Sequence, residues 1–223
     1  MSTIILLHGW TQTGAVLEAS MVPLASALRV AGFSLVFPNA PHTAGPGHAF
    51  GSRTWWDVGE SDSSGRVAYN GWDVSRAALA VEWGKAAEAG GVAVGLLGFS
   101  QGAVVVHTLL EELAAAAAAS HTPLPSSSLS PFILSPPRFA ILACGFPSRQ
   151  KGAFTPPTQH IATPPTLHAI ARRDKLVEPK YQHALASRFL NPTLLDFDAG
   201  HRLPSAPADI EAVVQFCLRS MNQ

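Results

Sequence analysis

The sequence predicts an α/β fold in which a mostly parallel sheet of about six strands is flanked by helices. Short β-branched or Leu-rich runs alternate with longer helical stretches, the pattern left by parallel strands joined through crossover helices. One of these runs passes through a glycine-serine-glycine turn straight into a helix. With 47% hydrophobic and 13% charged residues, the chain has ample material for a sizeable interior. A length of 223 residues suits one α/β unit, so a single domain over residues 1–223 is expected.

The expected elements follow in order. Thr3 to Leu7 is an apolar run ending at His8-Gly9 and reads as the first strand; Glu18 to Ala31 reads as the helix behind it. Ser34 to Phe37 is the second strand. Pro38 to Gly71 then breaks the rhythm, being rich in Gly, Pro, Ser and aromatic residues where the chain leaves the C-terminal edge of a strand, a place where loops commonly build ligand sites. Asp73 to Ala89 is a helix, Ala93 to Gly98 a strand and Gln101 to Ala119 a helix. An alanine run followed by Ser and Pro marks residues 114–137 as a helix tail and a flexible insertion without chemistry. Strands at Phe139 to Ala143, Leu167 to Ala171 and Thr193 to Asp198, with helices at Pro179 to Leu190 and Ala206 to Met221, complete the pattern. The chain shows no internal repeat.

Gly98-Phe99-Ser100-Gln101-Gly102 matches the G-x-S-x-G elbow of the α/β-hydrolase fold, and it has the required strand before it and helix after it. A serine there occupies a strained turn, and side chains two residues to either side would crowd neighbouring elements. The turn holds Oγ outward at a helix N-terminus, whose unpaired N–H groups favour developing negative charge. A plain helix-capping serine is the alternative, so the partners must be found in the right order.

In this fold the order is serine, acid, histidine, each just past the end of a strand. Of the histidines after Ser100, His107 falls in a helix, His121 and His160 in loops, His168 in a strand and His183 in a helix. His201, in Asp198-Ala199-Gly200-His201, directly follows a strand and is the expected base. Asp174, three residues past Leu167 to Ala171, is the expected acid; the competing reading is a solvated ion pair with Arg172, Arg173 or Lys175, and Asp196 and Asp198 are the rival carboxylates. The backbone N–H groups of Gln101 and Trp10 are the expected oxyanion donors, and His8 is expected to be structural.

Taken together, Leu7-His8-Gly9-Trp10-Thr11-Gln12, Ala40-Pro41-His42, the elbow, Cys144-Gly145-Phe146, Leu167-His168, Asp174-Lys175 and Gly200-His201 with Pro204 make the chain resemble the FSH family of serine hydrolases nearly end to end. The resemblance implies an α/β-hydrolase core without a large cap domain, activity on carboxylic esters or thioesters of acyl substrates, and Ser100, Asp174 and His201 as triad. Ala171, Ala199 and Glu178 depart from the usual pattern beside the acid and the histidine. No cofactor or metal is expected for this chemistry.

Phe50, Trp55, Trp56 and Trp72 are the candidate walls of an apolar acyl groove, with core packing as the alternative for each. Lys plus Arg and Asp plus Glu both number 15, so nucleic acid is not an expected partner. Cys144 and Cys217 sit in apolar stretches without metal-type spacing and are read as core residues. The N-terminus lacks a basic n-region, and no run approaches the roughly 20 apolar residues of a membrane span, so a cytoplasmic enzyme is expected. Oligomeric state has no signature in the sequence. Two other functions share these features: an acyl-protein thioesterase, distinguished by preference for an S-acylated peptide, and a non-catalytic ligand receptor, distinguished by failure to react with a phosphonate probe.

Overall fold

The computed structural model describes residues 2–88, 94–119, 136–150 and 164–222. Six strands form one sheet in which every neighbouring pair is parallel: β1 (Ser2–Leu7), β2 (Phe33–Val36), β7 (Val94–Phe99), β8 (Phe139–Ala143), β9 (Thr166–Ala171) and β10 (Thr193–Phe197). Their spatial order is β10-β9-β8-β7-β1-β2. The chain starts at β1, winds outward to β2, then returns to β7 on the other side and winds outward again. The β1/β7 junction is therefore the topological switch point, where crossover connections diverge and leave a crevice at the strand ends.

Alternation along the strands builds two cores. Ile5 and Leu7 of β1, with Leu96 of β7 and Ala140 and Leu142 of β8, face one core, while Ile4, Leu6, Leu97, Phe99, Phe139 and Ile141 face the other. The first core is covered by α3 (Trp72–Glu88), α4 (Gln101–Ala119) and α5 (Pro179–Ala186). The second is covered by α1 (Gly14–Ser20), α2 (Val22–Val30) and α6 (Pro207–Met221). Cys144 and Cys217 are free and buried in this second core.

The six expected sheet strands occur with no end moved by more than one residue. The N-terminal helical stretch differs: Glu18 to Ala31 is not one helix but part of two, broken at Met21, whose N–H turns back to the Glu18 carbonyl. Pro23 explains the restart, because proline lacks an N–H and fits the first turn of a new helix better than the interior of an old one. Pro179 opens α5 in the same way, but that helix ends at Ala186, short of Leu190. Ala89 and Ala93, the expected ends of a helix and a strand, lie outside the described residues. Ala114 to Ala119 continue α4, and the remainder of the expected insertion falls mostly on 120–135, also outside them.

The Gly/Pro/aromatic excursion after β2 carries four strands that its composition concealed. β3 (His42–Thr43) pairs with β4 (Arg53–Thr54), and β5 (Asp57–Ser61) pairs with β6 (Val67–Asn70), both antiparallel. His42 Nε2 donates to the Gly71 carbonyl at 2.8 Å, closing the neck of this excursion. Gly71 has φ +81°, and a Cβ there would stand 2.5 Å from the His42 ring, so the neck requires glycine.

Candidate active site

Ser100 stands between β7 and α4 at the switch point, with φ +54°. A non-glycine residue in the left-handed region carries backbone strain. Here it is held by the Ser100 N–H donating to the Ala143 carbonyl at 2.9 Å on the neighbouring strand. The flanking glycines are required by contact: a Cβ at Gly98 would lie 2.2 Å from the Gly102 carbonyl oxygen, and one at Gly102 would lie 2.1 Å from that of Leu7. The strand can therefore turn into α4 within one residue and leave the hydroxyl outside the turn.

His201 and Asp174 arrive from the loops after β10 and β9. His201 Nε2 is 3.0 Å from Ser100 Oγ, and Nδ1 is 2.6 Å from Asp174 Oδ2. A carboxylate only accepts, so Nδ1 carries the hydrogen and Nε2 offers its lone pair to the serine O–H. The Asp174 side chain is fully buried, and Oδ1 accepts from the Leu176 and Val177 N–H groups at 2.9 and 3.0 Å. Arg173 instead pairs with Asp198 at 2.7 Å in solvent, and Asp196 lies 3.5 Å from exposed His183. The structure thus brings together the serine, histidine and acid named from sequence, and sets the rival carboxylates elsewhere.

The segment after β1 is fixed by a buried histidine. His8 Nε2 accepts from the Ala40 N–H at 3.0 Å, so its hydrogen is on Nδ1, which donates to the Gly9 carbonyl at 2.8 Å. Burial lowers the proton affinity of His8 and keeps the ring neutral, as that pairing needs. Its bond to the Gly9 carbonyl sets the plane of the peptide whose N–H belongs to Trp10. Gln101 is pinned through its side chain: Nε2 donates to Thr54 Oγ1 at 3.0 Å, and Oε1 accepts from the Trp55 N–H at 3.2 Å. Gln101 is therefore tied directly to a neighbouring segment, and the stretch that leads into Trp10 is tied through His8.

A cavity of about 450 Å³ opens on Ser100, with Trp10, Trp56, Tyr69 and Phe146 in its wall. Of the four aromatics singled out from sequence, Trp56 lines it, stacked on Tyr69 with ring centroids 4.1 Å apart. Trp72 packs edge-on against Trp56 and is buried. Trp55 is sealed in the core with its indole N–H on the His8 carbonyl, and Phe50 is fully exposed. Tyr69, Val67 and Phe146 were not named from sequence as walls of the cavity. Val67 and Tyr69 lie on a short strand inside a Gly-rich stretch, and Phe146 follows a strand end, so neither shows a usable period.

Cys144, with φ +50°, directs its thiol to the Arg202 carbonyl at 3.3 Å, which ties the histidine loop to β8. Its sulfur lies within 4.8 Å of ligand atoms of Asp174 and His201. Burial, then the nearby Asp174 charge, push the thiol well above its ordinary range, so it remains a protonated donor.

A parallel sheet bearing a serine on a left-handed strand-to-helix elbow defines the α/β-hydrolase fold. Solved structures share it: the chain matches maize (Zea mays) acyl-protein thioesterase 2 with a TM-score of 0.68 at 20% identity, covering 99% of this chain and 94% of that one. Esterase PE8 follows with 0.64 at 22% identity, covering 98% and 92%. Within that fold, the family model described as serine hydrolase (FSH1) matches residues 1–213, and the chain belongs to this family. Esterase OVCA2 of mouse (Mus musculus) is 34% identical over 122 residues, 55% of this chain and 47% of the mouse protein. Esterase C25G4.2 of Caenorhabditis elegans is 26% identical over 194 residues, 84% and 80% of the two chains. The chain thus spans about half the length of the OVCA2 relatives it matches.

Proposed function

We propose that this protein is a serine hydrolase that cleaves carboxylic esters or thioesters of small acyl substrates, with Ser100 as nucleophile, His201 as base and Asp174 as its supporting acid. The observation that carries the reading is the continuous hydrogen-bonded series from Asp174 through His201 to Ser100, ending on a largely apolar cavity. His201 Nε2 takes the Ser100 proton as Oγ bonds to the acyl carbonyl carbon, and the backbone N–H groups of Trp10 and Gln101 receive the oxyanion. The tetrahedral adduct collapses by breaking the bond to the alcohol or thiol, which leaves with the proton held on His201. Water, deprotonated by the same nitrogen, then attacks the acyl-serine ester and releases the acid. Acid–base and nucleophilic roles are filled by these side chains, and the reading invokes no cofactor. Free buried thiols are consistent with a reducing, cytoplasmic setting.

The test is hydrolysis of p-nitrophenyl esters of increasing acyl length by wild type and Ser100→Ala. Each methylene that enters the cavity should raise kcat/KM by about fourfold until the wall is reached, from about 0.8 kcal/mol per buried CH₂. Ser100→Ala should lower kcat by about 10⁴ or more and abolish labelling by a fluorophosphonate. A variant with near-wild-type turnover would remove the proposal. Wild type inert to every ester and to the probe would favour a binding role, and turnover confined to an S-acylated peptide would favour a protein thioesterase.

A further inference from the structure

We infer that Gln182, on α5, is a positioning residue for the Asp174–His201 pair, holding the carboxylate and tempering its charge through its side-chain amide. The inference rests on the catalytic reading above. Gln182 is 2% exposed, and both ends of its amide are committed. Oε1 accepts from the Ala171 N–H at 3.0 Å, while Nε2 donates to the Val177 carbonyl at 2.6 Å and to Asp174 Oδ2 at 3.1 Å. The amide cannot be turned over, because a flip would set its NH₂ against an N–H and its oxygen against a carbonyl. A donor therefore faces the carboxylate, on the same oxygen that receives His201 Nδ1.

Two consequences follow. Ala171 ends β9 and Val177 lies in the acid loop, so the one side chain fixes the loop to the strand on either side of Asp174. The second is electrostatic. A hydrogen bond from Gln182 takes up part of the charge on Oδ2, so Asp174 grips a positively charged His201 less firmly than a bare carboxylate would. The bond thus shares Oδ2 between the amide and the imidazole, while the Leu176 and Val177 N–H groups anchor the other oxygen. Gln182 does not reach Ser100 or the cavity lining, so substrate binding should not feel it directly.

The experiment compares wild type, Gln182→Met, Gln182→Glu and Ser100→Ala on the best p-nitrophenyl ester from pH 5 to 9, with thermal melts of each. Gln182→Met keeps the length and removes the donor. Its kcat should fall roughly ten- to a hundredfold, as expected when the acid loop loses its tie to β9 and the Asp174–His201 pair is no longer held in line, with KM within about twofold. The acid limb of its kcat/KM profile should move up by about half a pH unit or more, since an untempered carboxylate retains the proton on His201 longer. Gln182→Glu should track wild type best at the acid end, where a neutral carboxyl can still donate, and fall away as pH rises and a second negative charge faces Asp174. If Gln182→Met does not fold, the pH dependence of Gln182→Glu decides. Wild-type kcat with an unmoved acid limb would overturn the inference, as would parallel changes in kcat and KM with an unmoved limb, which mark packing alone. An active Ser100→Ala would instead remove the catalytic reading; an inert one beside wild-type-like Gln182 variants would remove only the positioning role.

Discussion

Glu111 provides a measurable link between burial and stability. It lies on α4 one turn after His107, almost wholly buried, with Oε1 3.4 Å from His107 Nε2 and Oε2 without a hydrogen-bond partner among the described residues. His107 Nδ1 accepts from the Ser148 N–H at 3.1 Å, and burial lowers the ring to about 3, so the histidine is neutral and offers Glu111 no full positive charge. Burial, only partly offset by Arg188 and Arg66, raises the carboxyl from 4.5 to about 7. The native protein therefore binds this proton more tightly than the unfolded chain. Its contribution is fully favourable below pH 4.5 and is lost as pH rises towards about 7. At about 1.4 kcal/mol per pH unit, the loss is about 3 kcal/mol. Glu111→Gln carries no charge at any of these pH values, so its stability relative to wild type should improve by about that amount between pH 4.5 and pH 8. For a chain of this size, that is a relative rise of roughly 6 to 12 °C in Tm. Urea unfolding of both proteins at the two pH values measures it, and titration of the other groups largely cancels in the difference. A difference that stays constant within about 0.5 kcal/mol would refute the account.

His168 should show the opposite sign. It is buried in β9 with both ring nitrogens unpartnered among the described residues, and burial lowers it from 6.5 to about 3, so stability is intact above 6.5 and lost as pH falls through that window. His168→Leu should therefore move the acid unfolding midpoint downward, as read by far-UV circular dichroism; an unchanged midpoint would argue against it. Gly102→Ala should destabilise the protein by several kcal/mol or leave it insoluble, since the new Cβ meets the Leu7 carbonyl oxygen at 2.1 Å. A Gly102→Ala protein with wild-type Tm would contradict that geometry.

The sheet was legible because a parallel sheet covered on both faces leaves long apolar runs: Ile4 to Leu7 and Phe139 to Ala143 face cores on alternate sides with no polar interruption. Ser100 and its partners were legible because the fold confines them to strand ends in a fixed order, which leaves few histidines and acids to choose from. The two small sheets in the excursion were hidden because strands as short as His42–Thr43 have no measurable period. Gln182 was hidden for another reason. A glutamine near the start of a helix is ordinary in sequence, and only the approach of Ala171, Asp174 and Val177 from the neighbouring strand and loop gives its amide three partners. Trp55 and Trp72 were drawn towards the cavity by residue type alone, whereas the indole N–H of one is committed to the His8 carbonyl and that of the other to Glu112.

The neck closed by His42 and Gly71 has a consequence for how such a protein diversifies. Much of the cavity wall, including Trp56, Val67 and Tyr69, belongs to a stretch that departs from the sheet and is clasped at its own base, while Ser100, Asp174 and His201 hang on strands that this stretch does not interrupt. Insertions or exchanges above the clasp can remodel the wall while those three residues keep their spacing. Gln101 marks the boundary of that freedom, because its side chain, next to Ser100 in the chain, is pinned by Thr54 and Trp55 at the base of the excursion. The molecule thus separates the wall of the cavity from the residues at its floor, and a laboratory graft or natural drift could exploit the division one hairpin at a time.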